Sequence, residues 1–463
     1  MRVKALEARL KRLVRRDPLL RAAGAASRET GVPLWLVGGL VRDAALGRRA
    51  QDLDLVAGKG ARRLVRALES VWARRLFRFR KRGVTTWRTT VAGRSVDVVD
   101  ASRRGLSGDL ERRELTINAV AFEITRGRLI DPLGGLGDLR AGKLRLPRAG
   151  VLAEDPVRVL RLTRFLATIP GARLSPAAKR EALAAAPRLR RASAERIRDE
   201  IDRLLCSAAP ALGLAAMTEL GLLEPAVPEL VPLRTCPAGE GRPDAWAHTL
   251  RALALAARPG HLPGAAAARD PEGARVLRWA VLLHDIAKPE TFRRAGDGRP
   301  TFHGHEVIGS RAAERLLRRL RAPGALRRRV SRMVLFHLRP HHLADAGAPE
   351  RGLRRLVREA GPDLPLLVLH AACDAQASGA PDAAARWRRL RPLLLALLRT
   401  HRDSLISPLP RLVAGDDVMR ALGLAPGPEV GRVLRELREL QEQGTIETRE
   451  QALRYLASRP AAV

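Results

Sequence analysis

VGGLVRDAALGRRAQDLDLV, residues 37–56, packs a glycine pair, an arginine and the alternation Asp52-Leu53-Asp54-Leu55 into twenty positions. On a strand, alternate residues face opposite sides, so Asp52 and Asp54 share one face while the two leucines pack on the other. Asp97, in SVDVV, is a third carboxylate that a neighbouring strand can bring beside them. Clustered carboxylates repel unless cations neutralise them, and paired Mg²⁺ ions serve in-line displacement at phosphorus. Gly38 and Gly39 lie between the apolar run LWLV and the helical start LVRDAALG. A strand, a glycine pair and a helix N-terminus let backbone N–H groups approach phosphate closely. Arg42, one turn into that helix, adds a charge-assisted contact to a triphosphate. The stretch reads as a metal–nucleotide site on an α/β scaffold.

Around it, residues 32–146 alternate strand-like runs (34–37, 53–57, 84–91 and 95–99) with helical stretches such as 61–72. The segments VTTWRTTV and SVDVV, joined through Ala92-Gly93-Arg94, predict a hairpin. From Glu154 onward, Leu, Ala and Arg recur at spacings of three and four between Pro and Gly breaks, which predicts an all-α remainder. Loop-rich segments at 232–243 and 402–410 divide it. The fold expected is α+β, with five parts: an N-terminal amphipathic helix (1–31), a catalytic head with a small mixed sheet (32–150), a helical neck and body (151–235), a histidine-rich helical unit (243–400) and a helical tail (408–463).

Composition bounds the function. The 463 residues carry 85 basic and 49 acidic side chains, a net charge of +36, so the chain attracts polyanions and nucleic acid above all. With a single tyrosine in the chain, base stacking on aromatic platforms is not expected to dominate recognition. No apolar run approaches the roughly 20 residues that span a bilayer, and the N-terminus carries Glu7 where a signal peptide would be uninterrupted, so no membrane partner is expected. Cys206, Cys236 and Cys373 form neither a disulfide framework nor a CxxC pair, which fits a reducing cytoplasm.

Downstream of residues 37–56 come DLERRELTINAVAF (109–122), DPLGGLGDL (131–139) and EDPVRVLRLTRF (154–165), in that order. This ordered set resembles the class II tRNA nucleotidyltransferase and bacterial poly(A) polymerase family, within the polymerase-β-like nucleotidyltransferase superfamily. The resemblance implies that Asp52 and Asp54 bind Mg²⁺, with Asp97 as the third catalytic carboxylate. It implies that Gly38, Gly39 and Arg42 form the phosphate-binding turn, and that Arg112, Arg113 and Asn118 contact the ribose and phosphates of the incoming nucleotide. Glu114-Leu115 stand where the family usually has Asp-Phe, and the added methylene moves the carboxylate by ~1.5 Å. Asp155 and Arg158, three apart and so on one helix face, offer an acceptor and a donor that complement cytosine or adenine. By the resemblance they template CTP and ATP. Asp155 followed by Pro156 also reads as an ordinary N-cap and N1 pair. Only VVDASRRGLSGDLE separates Asp97 from Arg112, where many full CCA-adding members carry a longer segment; CC-, A- and poly(A)-adding enzymes therefore stay open.

Nine of the ten histidines lie between His248 and His370. Imidazole with carboxylate suits divalent transition metals, and the pattern resembles the HD phosphohydrolase domain. That resemblance implies His248, His284, Asp285 and Asp374 as metal ligands, with His305 and His337 for a second ion, and places Lys288 and Gly309 in family positions. The chemistry implied is hydrolysis of a phosphomonoester or 2′,3′-cyclic phosphodiester. Arginine-rich helices at 176–223 and in the last sixty residues read by themselves as solvated faces; the nucleotidyltransferase resemblance implies that they, with the PGPEVG turn, hold a tRNA acceptor arm by its phosphates. The reading is a template-independent enzyme adding C and/or A to tRNA 3′ ends from CTP and ATP. One alternative is a poly(A) polymerase; another, of a different class, is an RNA-binding HD phosphohydrolase with an inactive head.

Overall fold

The computed structural model describes residues 3–48, 52–81, 83–237, 244–379, 383–406, 410–442 and 445–459. Two compact units divide the chain, Met1–Pro228 and Glu229–Val463. The first opens with helices α1 (Val3–Arg16) and α2 (Pro18–Thr30) where one helix was expected. The break is local chemistry: Asp17 accepts from the Leu19 and Leu20 N–H groups at 3.0 and 3.3 Å, and Pro18 takes the first helical position, where its missing donor costs nothing.

Then follow β1 (Leu34–Val37), α3 (Gly39–Ala45), β2 (Leu53–Ala57), α4 (Ala61–Trp72), β3 (Phe77–Lys81), β4 (Val84–Val91), β5 (Arg94–Asp100), α5 (Gly105–Leu110), β6 (Ala121–Glu123), β7 (Arg128–Ile130) and α6 (Gly135–Arg140). The seven strands form one mixed sheet in the order β3-β4-β5-β2-β1-β6-β7, in which β2 and β5 run parallel and every other neighbouring pair is antiparallel. Alternation on the strands sets the two faces. Leu34, Leu36, Leu53, Leu55, Val96 and Val98 pack in one core with α1, α2 and α4, while Val37 and Val56 belong to a cluster on the opposite side. Each such side chain contributes about 1.5–3 kcal/mol by leaving water. The β4–β5 hairpin turns at Ala92 and Gly93, both at positive φ (48° and 73°), as a two-residue primed turn requires; Arg94 already belongs to the strand.

The rest of this unit is helical: α7 (Val151–Glu154), α8 (Arg158–Thr168), α9 (Pro176–Ala185), α10 (Ala194–Leu205), α11 (Pro210–Glu219) and α12 (Leu223–Ala226). It is not purely so, because β8 (Lys143–Leu144) pairs in parallel with β9 (Arg173–Leu174). The second unit holds α13 (Ala245–Ala257), α14 (Pro271–Leu283), α15 (Lys288–Thr291), α16 (His305–Arg319), α17 (Gly324–Phe336), α18 (Arg339–Asp345), α19 (Glu350–Ala360), α20 (Leu364–Ala377), α21 (Ala383–Ile406), α22 (Gly415–Leu422), α23 (Pro428–Glu442) and α24 (Arg449–Ala457). It too contains a short pair, Arg293–Arg294 against Pro300–Thr301. Two-residue strands leave no alternation in sequence for a pattern to register. Residues 402–406, read as loop, complete α21, since no proline or glycine falls between Pro392, which the helix accommodates, and Pro408. The divisions read at 238–243 and 407–409 lie outside the described residues. Among those described, no helix is long and apolar enough to cross a membrane.

The motif DPLGGLGDL acts as a support. Asp131 accepts from the Gly135 and Leu136 N–H groups at 2.7 and 3.0 Å and so caps α6, whose Asp138 accepts from Thr116 Oγ1 at 2.6 Å. A Cβ on Gly135 would stand 2.0 Å from the Thr116 carbonyl oxygen, so only glycine lets α6 lie this close to the 3₁₀ turn Thr116–Asn118. Gly135→Ala is predicted to cost about 2–3 kcal/mol, because the turn that carries Asn118 must shift to admit the Cβ; urea unfolding measures it.

Candidate functional site

Asp54 leaves the sheet on the face opposite Leu53 and Leu55, half-buried, and Asp52 stands exposed just before the strand. The parallel β2–β5 register sets Asp97 directly opposite Asp54. Burial raises the Asp54 carboxyl; Arg113 pulls it down, and Asp97, Glu114 and Asp52 push it up again. A half-buried carboxylate crowded by three others is a donor set suited to a divalent cation. Asp97 itself accepts a bidentate pair from Arg88, at 2.7 and 2.6 Å.

Gly38 caps α3 at φ 70°, and a Cβ there would meet Arg113 Nη1 at 2.6 Å and Asp54 Oδ2 at 2.8 Å. The glycine is thus required by conformation and by the close passage of the two side chains that share the site. Arg42 donates from Nη1 to Asn118 Oδ1 at 2.8 Å and from Nε and Nη2 to Asp43 at 2.9 and 2.8 Å, with its guanidinium 5.1 Å from the Phe165 ring centre. Arg113 is held by Asp109 at 3.0 Å, one helical turn before it. Arg112 stands beside it, half-buried.

Glu114, the departure noted in the sequence, lies at the centre of this charge network. Its Oε1 accepts from Asn118 Nδ2 at 3.1 Å and from Arg161 Nη1 at 3.5 Å. Burial alone would raise the carboxyl, but Arg161, its own backbone N–H, Arg113 and Arg158 outweigh that and hold it at about 2. Arg161 and Arg164 in turn both donate to buried Glu200, each at 2.9 Å.

Asp155 and Arg158 are neighbours without sharing a helix. Asp155 is extended (φ −144°, ψ 103°), as the residue before a proline is driven to be, and α8 starts at Arg158, whose N–H donates to the Asp155 carbonyl at 2.9 Å. The carboxylate does not cap the helix, whose N-cap is Val157; its Oδ2 accepts from Arg196 at 2.6 Å. Arg158 Nη1 is anchored on the Val151 carbonyl at 2.9 Å.

In the second unit the sequence-selected groups converge. His248 Nε2 lies 2.8 Å from Asp374 Oδ1 and 3.3 Å from His284 Nε2, and His284 Nε2 lies 3.2 Å from Asp285. His305 Nε2 lies 3.2 Å from His337 Nε2 and 3.5 Å from Asp285 Oδ1. Two ligand triads result, His248–His284–Asp285 and Asp285–His305–His337, with Asp285 common to both. His284, His305 and His337 donate from Nδ1 to the carbonyls of Val281, Phe302 and Val334 at 2.8, 2.8 and 2.6 Å. A carbonyl only accepts, so Nδ1 carries a proton and Nε2 is the nitrogen turned into the cluster, the orientation a metal needs. Burial and the surrounding imidazoles hold His337 well below its usual range, hence neutral. Burial would raise Asp285, but His284, Lys288 and His248 hold it well below the carboxylate range. Gly309 packs against Val334 and Ile286, at 3.4 and 3.6 Å from a would-be Cβ, so α16 can bring His305 to the cluster.

Residues 34–145 match the poly A polymerase head domain, 162–233 match a model described as "Probable RNA and SrmB-binding site of polymerase A", and 245–377 match the HD domain. The chain is 36% identical over 428 residues to the A-adding tRNA nucleotidyltransferase of Deinococcus radiodurans, covering 91% of this chain and 94% of that one. The chain belongs to the class II tRNA nucleotidyltransferase and poly(A) polymerase family. Another relative in that family, the CC-adding tRNA nucleotidyltransferase of Thermus thermophilus, is 34% identical over 432 residues, 91% of this chain and 92% of its own. The fold is that of the Thermotoga maritima CCA-adding enzyme complexed with tRNA, with TM-score 0.60 at 18% identity over 98% of each chain.

Several positioning residues of this nucleotidyltransferase escape a motif reading. Arg161 and Arg164 follow Arg158 at spacings of three, a periodic signal that was available; Asp109, Arg196 and Glu200 carry none. His341, whose Nε2 lies 3.2 Å from Asp374 Oδ2, joins the second site unnoticed, while His303 is exposed. Glu114→Gln is predicted to cost about 3 kcal/mol at pH 7, because a carboxyl held at about 2 instead of 4.5 stabilises only as the anion. That difference is complete above pH 4.5 and closes as pH falls toward 2; urea midpoints of both proteins at pH 7, 5 and 3 check it.

Proposed function

We propose that this chain is a template-independent tRNA nucleotidyltransferase that joins C and/or A from CTP and ATP to the 3′-hydroxyl of tRNA, CCA or part of it, releasing pyrophosphate in the cytoplasm. The observation that carries it is the juxtaposition of Asp54 and Asp97 across the parallel strand pair, beside the Gly38 turn and Arg113. Asp52, Asp54 and Asp97 would hold Mg²⁺, which when bound would supply activation of the attacking hydroxyl and neutralisation of the triphosphate. Backbone N–H groups at Gly38 and Gly39 and the guanidinium groups of Arg42, Arg112 and Arg113 bind the phosphates. Asn118, fixed by Arg42 and Glu114, faces the ribose. Asp155, oriented by Arg196, accepts from the exocyclic amine of cytosine or adenine, and Arg158 donates to the adjacent ring nitrogen; guanine and uracil present a carbonyl where Asp155 needs a donor.

Purified protein with Mg²⁺ and tRNA transcripts ending in the discriminator base, in C and in CC is expected to extend them from CTP and ATP and stop after one to three nucleotides. Asp54→Ala lowers that rate roughly a thousandfold. A long ladder of A would establish a poly(A) polymerase instead, and an Asp54→Ala protein as active as the parent would sink the assignment.

A second activity rests on the imidazole cluster. We infer that His248, His284, Asp285 and Asp374 hold a divalent transition metal, with His305 and His337 completing a site for a second ion at Asp285. The adjoining cavity, about 340 Å³, is lined by Lys288, Arg386 and Arg389, which suits a phosphomonoester or a 2′,3′-cyclic phosphodiester. Protein loaded with Ni²⁺, Co²⁺ or Mn²⁺ is expected to hydrolyse 2′,3′-cyclic AMP or p-nitrophenyl phosphate. His284→Ala abolishes that hydrolysis and leaves nucleotide addition intact; equal hydrolysis by the variant would remove the site from consideration.

A further inference from the structure

The sheet face that carries the catalytic carboxylates does not end at β5. Register places Asp97 opposite Arg88 on β4, and Arg88 opposite Phe77 on β3. Directly paired residues present their side chains on the same face, so Asp54, Asp97, Arg88 and Phe77 form a row across four strands. Phe79, two residues on, shares that face. Three strand spacings bring Phe77 about 14 Å from Asp54.

The outer end of this row is open. Phe77 is 70% exposed and Phe79 40%, the two most exposed aromatic side chains among the described residues of a chain with only 3% aromatics. They sit on the edge strand of the sheet, in an open groove of about 680 Å³ that Arg74, Arg75, Arg78 and Arg88 also line. Arg88 links the groove to the site: its guanidinium lies 5.4 Å from the Phe79 ring centre while it bonds Asp97 at 2.7 and 2.6 Å.

We propose that this groove binds the unpaired 3′-terminal nucleotides of the RNA, the residues just upstream of the reacting hydroxyl, by stacking bases on Phe77 and Phe79 while the surrounding arginines take the phosphates. The alternation of aromatic rings and guanidinium groups complements the alternation of bases and phosphates in a single strand. A second copy of the chain is disfavoured as occupant, because pairing two such edges would oppose their arginines. Identification of the strand as the reacting 3′ end rests on the nucleotidyltransferase reading; the groove's preference for stacked bases does not.

The test uses the full chain and a fluorescent single-stranded RNA hexamer ending in CC, alongside the same hexamer with its last three positions abasic, read by anisotropy. The Phe77→Ala/Phe79→Ala protein, with its far-ultraviolet spectrum and melting temperature unchanged, is expected to lose roughly tenfold affinity or more for the intact hexamer and none for the abasic one. Phe77→Trp/Phe79→Trp restores binding. Unchanged affinity in the alanine protein, an equal loss on both hexamers, failure of the parent to prefer the intact strand, or a dimer that the alanine substitutions dissociate would each overturn the proposal. Because binding is read without catalysis, a protein that binds in this way yet adds no nucleotide would count against the proposed activity alone.

Discussion

Asp54 and Asp97 face each other across the one parallel strand pair of the seven-stranded sheet, with Asp52 close by, and mutual repulsion is the constraint that the head must offset. No rearrangement of side chains relieves it, since the strand register itself fixes both Cα positions. The chain offsets it locally with Arg113, anchored on Asp109, and with Arg88 on Asp97. These guanidinium groups neutralise part of the charge and leave a buried carboxylate whose ionisation burial opposes. That residual imbalance is one that a divalent cation would relieve.

Charge alternation also transmits position. From Arg42 the network runs through Asn118 to Glu114, from Glu114 to Arg161, and from Arg161 through Glu200 to Arg164, whose guanidinium lies 4.5 Å from the Phe165 ring centre. The Gly38 turn and the helix that begins at Arg158 are thereby tied to one set of ion pairs. Removing any single partner leaves its neighbour buried and uncompensated, which is far more costly than the pair is stabilising. The longer Glu114 side chain belongs to this logic, because its carboxylate is drawn into contact with Asn118 and Arg161 together. Below it, α6 wedges against the 3₁₀ turn through Gly135 and fixes Asn118 from the other side.

Much of this was legible wherever the chemistry is local. The alternation at 52–55 and the apolar run before Gly38 encode both the strand faces and the turn, since strand period and glycine conformation depend on few neighbours. The convergence of His248, His284, Asp285, His305 and His337 was readable because clusters of this kind restrict residue type. Asp155 fits an i, i+3 helical spacing with Arg158, but Pro156 drives it into an extended conformation off the helix. Its partner Arg196 lies 41 positions away, and such pairings depend on packing that no local pattern encodes. Low aromatic content likewise argued against stacking on average, whereas exposure concentrates two of the few rings at one edge; composition counts residues but is blind to where they surface.

The two candidate sites differ in donor chemistry, and that difference separates their functions. The head presents carboxylate oxygens on a strand face with arginines beside them, a donor set that would suit a hard cation. The second unit presents imidazole nitrogens whose orientations are fixed by three backbone carbonyls before any ion arrives. Pre-orientation of that kind lowers the cost of binding a borderline metal and disfavours a hard one, since neutral nitrogen ligands suit Mg²⁺ poorly. Carboxylate oxygen and imidazole nitrogen thus select for different cations within one chain.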